Sequence, residues 1–113
     1  MTRAARDRVR DILEAIDKCR LYQDLIERAE DSVVSSMALD AIKQNLQVIG
    51  EAVKHLPPSI TESHTEVPWP QIRGFRNVLV HQYFDVDPAI IQDVIDTHLT
   101  TLRSALLGYV DGA

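Results

Sequence analysis

Between Arg76 and Phe84 the chain reads RNVLVHQYF, a largely apolar stretch interrupted by arginine, histidine and tyrosine at positions 76, 81 and 83. Each brings a different chemical ability. Arg76 carries a permanently charged planar fork whose donors match the oxygens of a phosphate. His81 exchanges protons near neutral pH and so suits general acid or base work. Tyr83 offers a phenol, a poor proton shuttle at pH 7 because its ordinary pKa is about 10. Arginine and histidine together suit chemistry at a phosphate, the one as a fixed positive charge and the other as a group that can move a proton. Asn77, four residues before His81, and the flanking Arg73 are the supporting polar groups.

The spacing sets a geometric condition on that chemistry. At about 100° per residue, Tyr83 falls within about 20° of Arg76, but His81 lies about 140° round the helix from it. A single straight helix therefore does not make Arg76 and His81 converge. Either the helix ends near His81 and the chain curls, or a second subunit supplies a second copy of the same residues. The run Asp85 to Pro88 argues for a helix end close to the motif. Gly74 adds a second hint, because a helical glycine costs about 1 kcal/mol relative to alanine and so points to a packing reason or a close approach to the backbone there. Singly, each residue has a structural explanation: arginine as an ion-paired surface group, histidine as a structural one, tyrosine as a half-buried anchor between Leu79 and Phe84. The three together are the more informative pattern.

The elements that must position these residues are helices. Val9, Ile12, Leu13, Ile16, Cys19, Gln23 and Ile26 recur at steps of three and four, which predicts a first helix over about residues 3–28. Glu30-Asp31-Ser32 supplies capping side chains, and Val34, Met37, Ala38, Ala41, Ile42, Asn45, Ile49, Val53 and Leu56 continue as a second helix that ends at Pro57-Pro58. Residues 57–68 are polar and proline-flanked, the one substantial loop. Trp69-Pro70 opens a third helix and Asp87-Pro88 a fourth, which carries Ile91, Val94, Ile95, His98, Leu102, Ala105 and Leu106 and stops near Gly108. The expectation is an all-α antiparallel bundle of four main helices in one domain, residues 1–113. Apolar stripes running to the ends of the first two helices leave surface for a partner, so a homodimer is expected.

Composition narrows the function. With 113 residues, 45% hydrophobic and 26% charged, the chain has the balance of a folded globular domain. Its net charge of −5 excludes nucleic-acid binding through the whole surface, so any contact with RNA is local and DNA is not expected. The single cysteine, Cys19, forms no intrachain disulfide, and no apolar run approaches the ~20 residues of a membrane span, which points to the cytoplasm. His55, His64 and His98 stand apart without metal-ligand spacing; His98 reads as a satisfied core or interface residue, and no metal or cofactor site is expected.

The blocks IGEAVKHL (Ile49 to Leu56) and VPWPQIRGFRNVLVHQYFDVD (Val67 to Asp87), with DILEAID in the first helix, resemble the HepT-like (DUF86) branch of the HEPN superfamily. Its marker, arginine, four residues, histidine, one residue, tyrosine, is matched by Arg76, His81 and Tyr83, and Asn77 matches the residue that often follows the arginine. The resemblance implies a HEPN-type bundle that dimerises to bring two Arg/His motifs into one cleft. It further implies a ribonuclease toxin of a type VII-like toxin–antitoxin pair. Its antitoxin would be a minimal nucleotidyltransferase that silences it by transferring AMP to the motif tyrosine, Tyr83.

The leading expectation is thus an endoribonuclease that needs no metal, with Arg76 and His81 catalytic, Asn77 and Arg73 supporting, and Tyr83 the site of adenylylation. The alternatives are a non-catalytic helical partner of a nucleotidyltransferase, favoured by the acidic charge, and a nucleotide-binding regulator in which Arg76 holds a phosphate without cleaving it.

Overall fold

In the computed structural model the described residues are 1–111; residues 112 and 113 of the expected single domain lie outside them. The helices are α1 (Arg3–Arg28), α2 (Ser32–Val53), the short α3 (Pro58–Thr61), α4 (Trp69–His81), α5 (Pro88–Asp93) and α6 (Thr100–Asp111), with a π-helical segment, Val94–Leu99, joining the last two. No strand occurs among the described residues, and the fold is the expected all-α bundle.

Local chemistry explains the starts. Thr2 accepts a hydrogen bond from the Ala5 amide at 3.1 Å, Asp31 from Val33 at 2.8 Å and Asp87 from Ala89 at 2.9 Å, so α1, α2 and α5 each begin on a side-chain oxygen that satisfies an otherwise orphaned N–H. Pro70 sits in the first turn of α4, where its missing N–H costs nothing. The Trp69 indole then fastens that turn by donating to the His64 carbonyl at 2.9 Å.

The ends depart from expectation in three places. α2 stops at Val53, ahead of Pro57, because the chain tightens through backbone bonds from His55 to Ala52 and from Leu56 to Val53. The segment 57–68 is not wholly a loop: Pro58 at a first helical position starts α3, whose Ile60 is buried in the core. The last helix does not stop at Gly108 but runs to Asp111, since a lone glycine lowers helix propensity without forbidding the helix.

α1 packs along α2, α4 lies against the other side of α2, and the α5–π–α6 rod covers α1. Ile12, Ile16, Ile42, Ile49, Leu79, Ile95, Leu99, Leu102 and Leu106 are fully buried between them. Each such side chain contributes about 1.5–3 kcal/mol of transfer free energy, which holds helices whose own propensity is marginal. Cys19 is part of this core, and burial pushes its thiol up to about 12, so it is inert as a nucleophile at neutral pH. Apolar surface does remain, at Leu21, Leu25, Val33 and Met37 around the α1–α2 turn. No described helix is long and apolar enough to cross a membrane.

Candidate active site

The seat of α4 on α2 is set by one residue without a side chain. Gly50 is buried, and a Cβ placed on it would lie 2.7 Å from Cβ of Arg76 and 3.4 Å from the Ile72 carbonyl oxygen. Any larger residue would push α4 away, so Gly50 is what allows Arg76 to cross α2 at contact distance. The Arg76 side chain then meets the next residue of α2: its Nε lies 3.2 Å from Oε2 of Glu51. The Glu51 carboxylate also faces His55 at 3.4 Å and Lys54 at 3.5 Å. The hydrogen bond from His55, the Lys54 ammonium and the Arg76 guanidinium together hold its carboxyl below the usual carboxylate range.

This arrangement places the guanidinium beside a carboxylate. The contact with Glu51 is an ion pair, and a guanidinium held beside a cleft has the planar donor fork that can match a phosphate bidentately. Arg76 and Glu51 line a cleft of about 360 Å³ whose walls also carry Gln44 and Gln47 of α2 and Arg8 and Asp11 of α1. His81 is not among its lining residues.

The other end of the motif is built differently. α4 ends at His81, and Gln82 leaves helical geometry at φ −131° and ψ 36° while its amide still donates to the Val78 carbonyl at 2.8 Å. Tyr83 therefore stands in the turn beyond the helix, and the angle that put it on the face of Arg76 no longer applies. Its ring packs edge-on against the exposed Phe84 at 5.3 Å between centroids and lies under the Lys43 ammonium, 4.6 Å from the ring centre. Lys43 donates to the Tyr83 carbonyl at 2.7 Å, and the Tyr83 hydroxyl donates to Oδ1 of Asp40 at 3.3 Å. Partial burial, then the Asp40 charge and that hydrogen bond, push the phenol above its ordinary pKa, which removes it further from acid–base work near pH 7.

Of the residues expected in the site, Arg76 and Arg73 are half-buried, Asn77 and His81 exposed, and Tyr83 half-buried. Asn77 and His81 share one side of α4 with Gly74, about 140° from Arg76 round the helix in the case of His81. The close neighbour expected at Gly74 is not found within the chain: a Cβ there would meet nothing within 4 Å. That face is open, and one chain keeps Arg76 and His81 apart. The curl after His81 exists, but it carries Tyr83 to Asp40 and Lys43 and not His81 to Arg76.

Gly50, Glu51, Lys43 and Asp40 went unrecognised in the sequence. Gly50 had a signal, since the cost of a helical glycine raised for Gly74 applies equally to it. The expectation for His98 also changes: in the π-helical segment its Nδ1 is buried without a hydrogen-bond partner. Among the described residues no group of three or more His, Cys, Asp or Glu side chains is arranged to hold a metal.

The family described as ribonuclease HepT-like matches residues 12–107, a span that holds all of the site except Arg8 and Asp11. The probable ribonuclease HepT of Thermococcus cleftensis is 30% identical over 105 residues, 91% of this chain and 93% of its own length. A candidate RNase of Caldanaerobacter subterraneus is 43% identical over 76 residues, covering 63% of this chain and 68% of that one. A Methanocaldococcus jannaschii protein, named as both a gamma-glutamylcyclotransferase and a candidate RNase, is 31% identical over 85% of this chain, which spans only 43% of that protein. No solved structure matches.

Proposed function

The chain belongs to the HepT-like ribonuclease family, and on that premise we propose that it is an endoribonuclease toxin whose chemistry is carried by Arg76 and His81. The observation that carries the reading is Arg76, seated over Gly50, ion-paired with Glu51 and lining a cleft. In the reaction a ribose 2′-oxygen bonds to the adjacent phosphorus as the bond to the 5′-oxygen breaks. His81 takes the 2′-OH proton or gives one to the leaving oxygen, and Arg76 stabilises the charge on the phosphate. This division of labour needs no metal. Arg73 and Asn77 support the motif from the same helix.

Separation of Arg76 and His81 within one chain supports a homodimer in which the open face of α4, flat at Gly74, meets its mate and both copies of the pair share one cleft. Activity is placed in the cytoplasm, where RNA is at hand. There a minimal nucleotidyltransferase antitoxin, using ATP and Mg²⁺, adenylylates Tyr83. The Tyr83 oxygen bonds to the α-phosphorus, pyrophosphate leaves, and the phenolic proton passes to a base, for which Asp40 stands at 3.3 Å. The attached nucleotide adds a negative charge and a bulky base beside the motif and so opposes incoming RNA.

Expression of the wild type should slow growth and expression of His81→Ala should not. Co-expression with the nucleotidyltransferase should add AMP to the wild type and leave Tyr83→Phe unmodified, toxic and unneutralised, read by intact mass and growth. Equal neutralisation of Tyr83→Phe would show that inhibition comes from binding alone.

A further inference from the structure

Lys43 is the one charged or polar residue of the core among the described residues, with 6% of its surface exposed. Lysine is rarely buried so far, because removing an ammonium from water is costly unless it is paired. Packing alone does not call for it: a methionine or leucine would fill the same space on α2 without that cost. What the ammonium gains is a 2.7 Å charge-assisted hydrogen bond to the Tyr83 carbonyl and the face of the Tyr83 ring at 4.6 Å.

The position of that carbonyl gives the bond its consequence. It belongs to the second residue after His81, in the turn by which the chain leaves α4. Two backbone bonds shape this turn, from Gln82 to Val78 and from Asp85 to Gln82, and both are local to it. Neither ties the turn to the rest of the molecule. The bond from Lys43 does, and it is the one that holds the turn's backbone, the 3.3 Å bond to Asp40 holding only the Tyr83 hydroxyl; it comes from the buried face of α2, the helix that also carries Gly50 and Glu51. His81 itself is exposed, and no hydrogen bond to its ring appears among the described residues, so its direction depends on the backbone that carries it.

We propose that Lys43 is a positioning residue for His81: it anchors the turn after α4 to α2 and so fixes the imidazole relative to Arg76. The proposal rests on His81 being the catalytic base or acid. A displacement of about 1 Å at a reacting group can cost about 100-fold in rate, whereas Arg76, held separately by Gly50 and Glu51, should be unaffected.

The test compares Lys43→Met, Lys43→Arg and His81→Ala with the wild type in steady-state cleavage of a single-stranded RNA, with melting followed by circular dichroism. Lys43→Met should lower kcat about 10–100-fold with KM within about twofold, and should keep its helical spectrum. Lys43→Arg, which restores a charged donor, should recover at least part of the lost kcat. Wild-type kcat in Lys43→Met would overturn the proposal. So would a loss that Lys43→Arg leaves unchanged or that accompanies loss of helix, since the lysine would then be structural only. His81→Ala separates the two claims. If it is inactive while Lys43→Met is normal, only the positioning role fails; if it cleaves like the wild type, the catalytic reading fails and takes this one with it.

Discussion

Arg76 and Tyr83 are seven residues apart and both are held by α2, yet they are held by opposite means. Arg76 lies inside α4, where its backbone is fixed by the helix and its position by a close contact with Gly50; only its last atoms depend on a polar partner, Glu51. Tyr83 lies beyond the helix, and its backbone as well as its ring depends on side chains from α2, Lys43 and Asp40. Asp40 and Glu51 are about 16 Å apart along α2 and nearly in line, so one face of one helix serves both ends of the motif. The contrast assigns the two ends different sensitivities. The Arg76 end is set by sterics, whereas the Tyr83 end, in the turn beyond the helix, is set by polar bonds and is the one that a change in those bonds would move.

The largest expected effect breaks the steric end. Gly50→Ala places a methyl 2.7 Å from Cβ of Arg76, an atom with no freedom to swing away, so α4 must shift. Stability should fall by about 1–3 kcal/mol, as for other overpacked cores. Cleavage should fall by at least about tenfold as Arg76 moves. Denaturant melts and single-turnover rates measure the two. Gly74→Ala is the control: its Cβ meets nothing within 4 Å, so the isolated chain should gain up to about 1 kcal/mol from helix propensity. A wild-type cleavage rate in Gly50→Ala would remove the steric half of the contrast.

A smaller effect is expected at Glu51. Glu51→Gln keeps an acceptor for Arg76 but loses the charge, so kcat should fall several-fold with little change in melting temperature at neutral pH, because the pair is half-exposed. The sign of the pH dependence follows from a carboxyl held below its usual range. Its contribution is present above the ordinary carboxylate pKa and is lost only as pH falls through the depressed value in the folded state. Above about pH 5 the Glu51 carboxylate therefore stays charged and its pairing with Arg76 is retained. A wild-type kcat in Glu51→Gln would contradict a role for that pairing.

The smallest effect on cleavage belongs to Tyr83→Phe. It removes a partly exposed hydrogen bond to Asp40 and leaves the Lys43 bond to the backbone carbonyl in place, so the RNA cleavage rate should stay within about twofold of the wild type. A large loss would mean that the phenol takes part in the chemistry.

What could be read from the sequence follows the same division. The caps at Asp31 and Asp87, the start of α4 at Trp69-Pro70 and the apolar stripes depend on neighbours within a few residues, and all are found in the structure, except that Met37 of the second stripe is exposed. The marker residues were visible by type and spacing. Their partners were not, because the Arg76–Glu51 and Tyr83–Asp40 pairs join positions 25 and 43 residues apart, and no local periodicity links them. Lys43 lay unnoticed among the apolar positions of α2, since a sequence pattern does not reveal that one helical lysine is turned into the core. The cost of a helical glycine points to Gly74 and Gly50 alike, and only the packing of α4 on α2 shows that the close contact is at Gly50.

The most direct measurement is single-turnover cleavage of RNA by the purified protein in EDTA, with wild type, Arg76→Ala and His81→Ala compared at equal helicity. The wild type should cleave, and each variant should be slower by about 10²–10⁴-fold. Intact RNA in the wild-type reaction, or a wild-type rate in either variant, would contradict the assignment of the chemistry to this pair.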